Sequence, residues 1–584
     1  MKRYPSIIAA GLMLVAITTL PAPAAANTWN NFTANSLWST NAPDQNWTSP
    51  TSWVNGDDAI FGPSGVGTVY LYTPVSAHNI MFDSAGYSIN AFGGGNTLTL
   101  AGTTPTISNN VNVTIAATIV GTNGMACEGS GSRVLQGDVV AGLANAYTNG
   151  TYVRNGTLVL QCTNALYPGN SSSGVSYAVD SIEALDTGAT IKLGTIDDGL
   201  GHWYWVPKGQ IAAGAPNFVS RLHLTGGTFD FNGDQRGNNQ VPCPDGFGTI
   251  INTSSNIASG MIIVGDGQDH TFAGHIMDGG LVTTNVLYGS TNWPGYQIGI
   301  LDLHYGAGGY TLTLSGSNSF SGSIRCGNAS IKLSGAGTLG WPSPFYGITG
   351  PMRISGGQHI DLNGTSQTIG PMGNSGTGTQ GTIYNSAVGT VSTLTFGVGD
   401  NDNFTAINFI DNPGTGGVLA LTKVGTNVFG QGLIGTNTYS GDTTVSNGIL
   451  AFLGTSAVSP NTNIRLYTGG GLLDLSYDGT ANVQGLYTNG VPLCPGVYSS
   501  ANLPNYFVDD IGLLQVTGVN RHLSYARSGN NITFSWLGNC TKLQAQTNSI
   551  TGNWSDYPGG GSSPVSVTNN PANGSVFYRL SPLP

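Results

Sequence analysis

Residues Leu421–Leu453 read LTKVGTNVFGQGLIGTNTYSGDTTVSNGILAFL. Short runs of Thr, Val, Ile, Leu and Tyr are broken by Gly or Asn-Gly, and Lys423 and Asp442 are the only ionised side chains. Runs of this length and composition, separated by residues that tolerate tight turns, predict strands. A sibling stretch lies upstream at Tyr310–Gly335, YTLTLSGSNSFSGSIRCGNASIKLSG. Setting Gly322 on Gly441 places Asn318 on Asn437, Phe320 on Tyr439, Cys326 on Val445, Ile331 on Leu450 and Leu333 on Phe452. Apolar falls on apolar at each of the last four, which marks an internal repeat and hence a solenoid. Leu450 is expected to face inward and Thr443 outward.

The Asn-x-(Tyr/Phe)-Ser-Gly core, followed by Thr443-Thr444-Val445 and Asn447-Gly448-Ile449-Leu450, resembles the autotransporter-associated β-strand repeat. That resemblance implies a secreted, passenger-like parallel β-helix and names no reaction. A second recurring element reads RLHLTGGTFDFNG from Arg221, MRISGGQHIDLNG from Met352 and IRLYTGGGLLDLSYDG from Ile464. In each, a strand meets a Gly-Gly turn and then a strand carrying Asp230, Asp361 or Asp474. Weaker echoes begin at Asn96 and Asn155.

A chain of 584 residues would ordinarily divide into several globular domains, a limit that a one-dimensional stack escapes. Its 89 Gly and 8% charged residues suit turns and a sparsely charged surface, and 39% hydrophobic residues supply too much apolar surface for disorder. The net charge is −11, with no basic patch, which argues against a nucleic-acid partner.

Met1–Ala26 has basic Lys2 and Arg3, an apolar run from Ile7 to Leu20 and a closing Ala-Ala-Ala, the pattern of a secretory signal peptide cleaved after Ala26. The mature chain is then expected outside the cytoplasm, secreted or on a bacterial cell surface, and not membrane-spanning. Segment 27–63 carries Trp29, Trp38, Trp47 and Trp53 and ends in GDDAIFG. It resembles the segment that commonly precedes this repeat family and is expected to cap the first coil, a carbohydrate-stacking platform being the alternative. Residues 64–518 are read as the β-helix, with three strands per coil of roughly 20–30 residues and some 15–20 coils. Gly485–Leu514 departs from the repeat and is read as the last coils, partly covered by loops. Residues 521–584 alternate apolar and polar residues between turns, as a small antiparallel β-module does. They resemble a terminal module of large secreted planctomycete and verrucomicrobial proteins, and are too short for a translocator barrel.

The expected fold is therefore all-β: a right-handed parallel β-helix with an N-terminal cap and a small C-terminal antiparallel module. Because some β-helices are pectate lyases or polygalacturonases, each carboxylate cluster is weighed. Asp197-Asp198 ahead of Gly201-His202 matches two polygalacturonase fragments in the wrong arrangement, without the Asn-Thr-Asp and Arg-x-Lys that complete that family's set. Asp266, Asp269, His270, His275 and Asp278 gather metal-capable groups, but residues five apart on one strand face opposite sides. Asp400 and Asp402 offer oxygen ligands without the nonapeptide repeat of calcium-binding solenoids. No catalytic or metal site is assigned, and no cofactor. His202, Trp203, Tyr204 and Trp205 form a dense aromatic cluster and are the candidate glycan contacts. Six Cys in an exported chain allow 15 disulfide pairings, with Cys326 expected to be a buried small hydrophobe.

The function expected is that of a secreted or cell-surface structural or adhesive protein without catalysis. Possible partners are extracellular polysaccharide or cell-surface components. The alternatives are a glycan-binding module, or a polysaccharide lyase or glycoside hydrolase of pectate-lyase-like fold with an atypical site.

Overall fold

Every inward position aligned between the two repeat copies is buried: Phe320, Cys326, Ile331 and Leu333 in one, and Tyr439, Val445, Leu450 and Phe452 in the other, are all inaccessible to solvent. The computed structural model describes residues 24–48, 51–138, 145–160, 178–179, 182–193, 221–232, 240–255, 259–280, 285–288, 291–294, 297–340, 352–373, 381–398, 403–405, 407–411, 416–425, 430–508, 511–518, 522–538, 540–547, 550–570, 572 and 574–583. The described residues contain no α-helix.

Three short strands make one coil. Asp58–Phe61, Thr68–Leu71 and Val75–Ala77 are followed by Ile80–Phe82, Ser88–Ala91 and Thr97–Leu100, then by Thr106–Asn109, Val113–Ala116 and Thr118–Gly121. Each strand pairs in parallel with its counterpart one coil on: Ala59 with Ile80, Val69 with Ile89, Val75 with Leu98. Alternate residues point into a shared interior, as the period of two requires. Two of the three ladders merge at Leu222–Asp230 and Pro244–Asn252, which run unbroken around a corner, so together they form one 23-stranded sheet. Further parallel ladders of six and four strands carry the stack on to Gly485–Thr488 and Leu472–Leu475. The result is a parallel β-helix.

The repeat signature now has physical reasons. A Cβ on Gly441 would stand 2.3 Å from the Leu419 carbonyl oxygen, and one on Gly322 2.2 Å from that of Ile298, so only glycine lets the coils approach. The repeat asparagines bridge three coils. Asn437 Oδ1 accepts from Phe409 N (2.8 Å) while its Nδ2 donates to the Ala457 carbonyl (2.6 Å). Asn318 does the same between Ile276 N (2.9 Å) and the Thr338 carbonyl (2.8 Å). A third copy, overlapping the echo at Asn155, begins earlier than the sequence suggests. Asn145 Oδ1 accepts from Ile119 N (2.8 Å), and the Tyr147 hydroxyl pairs with Thr151 Oγ1 as that of Tyr439 pairs with Thr443 Oγ1.

One facing is corrected. Thr443 points inward and is fully buried, its hydroxyl bonded to Tyr439 and Thr462; Thr444 is the outward residue. Mutual hydrogen bonding removes the cost of burying these hydroxyls.

At the N-terminal end, Ala26–Thr28 and Leu37–Trp38 are the first strands of two ladders. Trp29, Trp38, Trp47 and Trp53 are buried around Phe61, with the Trp47 and Trp53 centroids 4.5 Å apart. Their rings belong to the core and are not a sugar platform. Asp58 N donates to the Ala25 carbonyl, so cleavage after Ala26 would leave Asn27 and Thr28 to hold the first rung. Toward the other end parallel pairing gives way to antiparallel: Gly485–Thr488 with Val491–Pro492, and Gly496–Tyr498 with Leu513–Val516. Beyond it two three-stranded antiparallel sheets enclose a separate core of Phe534, Trp536, Leu543, Val565, Val567 and Leu580. A Cys494–Cys540 disulfide joins this module to the last coils. Cys127, Cys243 and Cys326 are free and buried, and Cys162 lies outside the described residues.

Candidate functional site

The glycan candidates His202, Trp203, Tyr204 and Trp205 lie outside the described residues, as do Asp197, Asp198, Asp400 and Asp402. The structure does place the other polar clusters.

The cluster from Asp266 to Asp278 is divided by the fold. His270 sits on His270–Phe272 in one ladder and His275 on His275–Asp278 in the next, with the chain turning between them. His270 Nε2 meets Asp266 Oδ1 at 3.0 Å; partial burial pushes the Asp266 carboxyl up, but the hydrogen bond from Gln268 N (2.9 Å) and then the His270 contact hold it below the usual carboxylate range. His275 Nδ1 meets the Ser317 carbonyl at 2.8 Å. Asp269 accepts from Thr311 N at 2.7 Å. Among the described residues no three His, Cys, Asp or Glu side chains converge as metal ligands would.

Asp278 is a corner clamp. Its two oxygens accept from Ile298 N (2.7 Å) and Ser321 N (3.1 Å), and burial outweighs those bonds, pushing its carboxyl up to about 6. Burial likewise lifts Asp302 to about 6, against Arg325 at 3.5 Å; its Oδ1 is buried without a partner. A raised carboxyl is what a general acid needs, but glycoside hydrolysis also needs a second carboxylate facing it across the bond to be cleaved. The bonds drawn by Asp278 are those of a turn.

The second recurring element builds a latch across three coils. Asp230 Oδ1 accepts from Asn232 N (2.8 Å) and Thr253 N (3.0 Å), Oδ2 from the Thr253 hydroxyl (2.6 Å), and Lys192 Nζ stands 3.6 Å away on the preceding coil. Asp361 repeats this with Asn363 N (2.9 Å), Ser386 N (3.0 Å), the Ser386 hydroxyl (2.6 Å) and Lys332 Nζ (3.7 Å). Both aspartates are buried. Asp474 is the exception: Ala451 pairs with it where Lys192 and Lys332 stand, and within its own turn it accepts from the Ser476 hydroxyl. The sequence carries a signal for this, the shared Asp-x-Asn-Gly, but the lysine and the hydroxyl come from other coils.

On an outward face Asp245 is held by Arg221 Nη2 (2.9 Å) and His223 Nδ1, with Glu183 3.7 Å from Arg221 Nη1. Both Asp245 oxygens are engaged. These carboxylates join coils; their bonds leave them poorly placed to exchange protons with a substrate.

No family profile matches the chain, and no solved structure matches it. Among curated proteins it is similar to the Adhesin BmaC autotransporter of Brucella suis biovar 1 (strain 1330), with 28% identity over 530 residues. The match covers 76% of this chain and 14% of the relative, so the chain spans about a seventh of that protein's length. No described helix is long and apolar enough to cross a membrane. The sequence similarity is to an autotransporter adhesin.

Proposed function

We propose that this chain is a secreted or cell-surface β-helical protein that serves adhesion or surface structure and carries out no catalysis. The supporting observation is that Asp230, Asp361 and Asp278, among the described carboxylates, spend their hydrogen bonds holding coils together. Similarity to an autotransporter adhesin supports the same reading. The autotransporter-associated repeat explains the spacing of Asn318 and Asn437, and Met1–Ala26 serves export. Extracellular polysaccharide or cell-surface components are the proposed partners, with Gly199–Lys208, including His202, Trp203, Tyr204 and Trp205, as one contact loop.

The test is attachment. Cells displaying the full chain should bind polysaccharide-coated or host-matrix surfaces more than cells lacking it, and the purified chain should release no reducing or unsaturated sugar ends. Sugar ends that vanish on Asp197→Asn or Asp198→Asn would make it an enzyme. Unchanged attachment on deleting the chain would remove the adhesive role.

A further inference from the structure

Among the exposed aromatic rings, three lie in contact on neighbouring coils. Tyr70, Tyr72 and Phe92 are 36%, 43% and 48% exposed, and Phe92 touches both tyrosines across two successive coils. The Phe92 centroid lies 6.0 Å from that of Tyr70, the planes at 87°, and 5.2 Å from that of Tyr72, the planes at 59°. Scattered exposed apolar residues are ordinary, whereas rings in mutual contact form a patch.

The backbone around them is built to hold this arrangement. Asn96 Nδ2 reaches the carbonyls of Leu71 (3.0 Å), Tyr72 (3.2 Å) and Phe92 (3.3 Å), tying the two ring-bearing turns together. Gly93, Gly94 and Gly95 follow Phe92 with φ of 70°, 82° and 87°, and side chains on Gly93 or Gly95 would meet nothing within 4 Å. The glycine turn therefore folds back without roofing the rings. Asn90 is the register partner of Tyr70 on the next coil. The Ser88 hydroxyl occupies its Oδ1 at 2.7 Å, which leaves the amide N–H donors beside the rings without a partner in the chain.

Charge narrows the ligand. Between Val66 and Ala101 the only Asp, Glu, Lys or Arg is Asp83, which follows Ile80–Phe82 on another ladder, and the Asp138 carboxylate that accepts from Gly95 N of the glycine turn is itself buried. A charged peptide, an acidic glycan or a phosphate would find no complementary group. A neutral sugar offers what the patch can use: an apolar C–H face for a ring and hydroxyls for an open amide. Rings steeply inclined to one another make a notch and not a flat strip, suited to one or two sugar residues at a time.

We infer that Tyr70, Tyr72, Phe92 and Asn90 form a contact site for a neutral polysaccharide that does not depend on Trp203 and Trp205. The site rests on the chain's being presented outside the cell. Binding at one site is weak, and many copies on one surface supply avidity.

Gel electrophoresis of the full chain through soluble neutral polysaccharides (mannan, galactomannan, xylan and a β-glucan), with polygalacturonate as the acidic control, tests it. At least one neutral gel should retard the protein. Tyr72→Ala with Phe92→Ala should weaken retardation about tenfold, as loss of two stacked rings implies, with the β-sheet circular dichroism unchanged. Asn90→Ala should weaken it less, and Tyr525→Ala in the C-terminal module should leave it intact. The site is refuted if no neutral gel retards the chain, if only polygalacturonate does, or if retardation survives the double substitution. It is also refuted if retardation is lost on Trp203→Ala with Trp205→Ala alone, or if the Tyr72/Phe92 change instead abolishes self-association. Cell attachment that persists in the double variant leaves the adhesive role standing without this site. Retardation by a chain that confers no attachment leaves the site and removes the adhesive role.

Discussion

The Asn437 side chain accepts a hydrogen bond from the coil before it and donates one to the coil after it. It does so from a buried position, where unmade bonds are expensive. Asn437→Ala is therefore expected to cost about 2–4 kcal/mol, two buried bonds' worth, measured by denaturant unfolding. Leu450→Asp should cost several kcal/mol, since it places an unpaired carboxylate among apolar neighbours. Thr444→Asp should shift stability little, while Thr443→Asp should be severe; equal effects at 443 and 444 would contradict the inward facing of Thr443. Asp278 adds a pH dependence. Its carboxyl is raised to about 6 in the folded chain from an ordinary value near 3.8, so the folded state holds the proton more tightly. Stability from this group is full below about pH 4 and is lost as pH rises to about 6, by at most about 3 kcal/mol. Asp278→Asn should flatten the fall in melting temperature across that interval, and an unchanged slope would place the titration elsewhere.

At the scale of elements, much of the design is legible because a β-coil repeats its alternation in the sequence. The alignment of Ile331 on Leu450 and of Leu333 on Phe452 required no knowledge of what packs between them, only that both copies bury the same positions. Thr443 is expected outward by the alternation, yet it shares the parity of buried Val445 and points inward, where the hydroxyls of Tyr439 and Thr462 meet it. The third copy was half hidden because the Ser-Gly after its tyrosine is replaced by Thr148-Asn149, with Asn149 at φ 68°. The latch was invisible as a unit, since Lys192, Asp230 and Thr253 meet only once the coil register is fixed, and register depends on the lengths of intervening turns. The ring patch was missed likewise: Tyr70 and Phe92 are distant in sequence and adjacent across a rung. Comparing the latches gives a prediction. Asp361→Ala removes an acceptor for three hydrogen bonds in a buried corner and should destabilise the chain by about 3 kcal/mol or more. Asp474→Ala, with one bond to Ser476 and no lysine from the coil below, should cost less than 1 kcal/mol. Hydrogen exchange at 382–386 should rise in the first variant and stay unchanged at 480–483 in the second.

The whole molecule combines a stack that grows in one dimension with a module that has its own core. The stack leaves its backbone edges unpaired only where a ladder stops, and open edges invite pairing with other chains. Buried indoles lie at the first rungs, and antiparallel strands follow the last. The antiparallel module is joined to these last strands by Cys494–Cys540, which spans 46 residues, with Cys494 between Val491–Pro492 and Gly496–Tyr498. Because Phe534, Trp536 and Leu543 form a cluster separate from the solenoid interior, the disulfide restrains the module's position and not its folding. Fifteen pairings were open to six cysteines, and only the packing of Gly538 against Pro492 shows why this one brings its sulfurs together. Stacking some 15–20 coils at the inter-strand spacing of roughly 4.8 Å gives a rod of about 70–100 Å. Small-angle scattering should therefore return a cross-section set by one coil and a length in that range. Replacing both Cys494 and Cys540 with Ser should leave the cross-section, the β-sheet circular dichroism and hydrogen exchange within 524–582 unchanged, while the module becomes less fixed in position in the scattering. A cross-section that swells on removing the disulfide would mean that the bond supports the last coils themselves, and that the module is part of the stack's end rather than a body tethered to it.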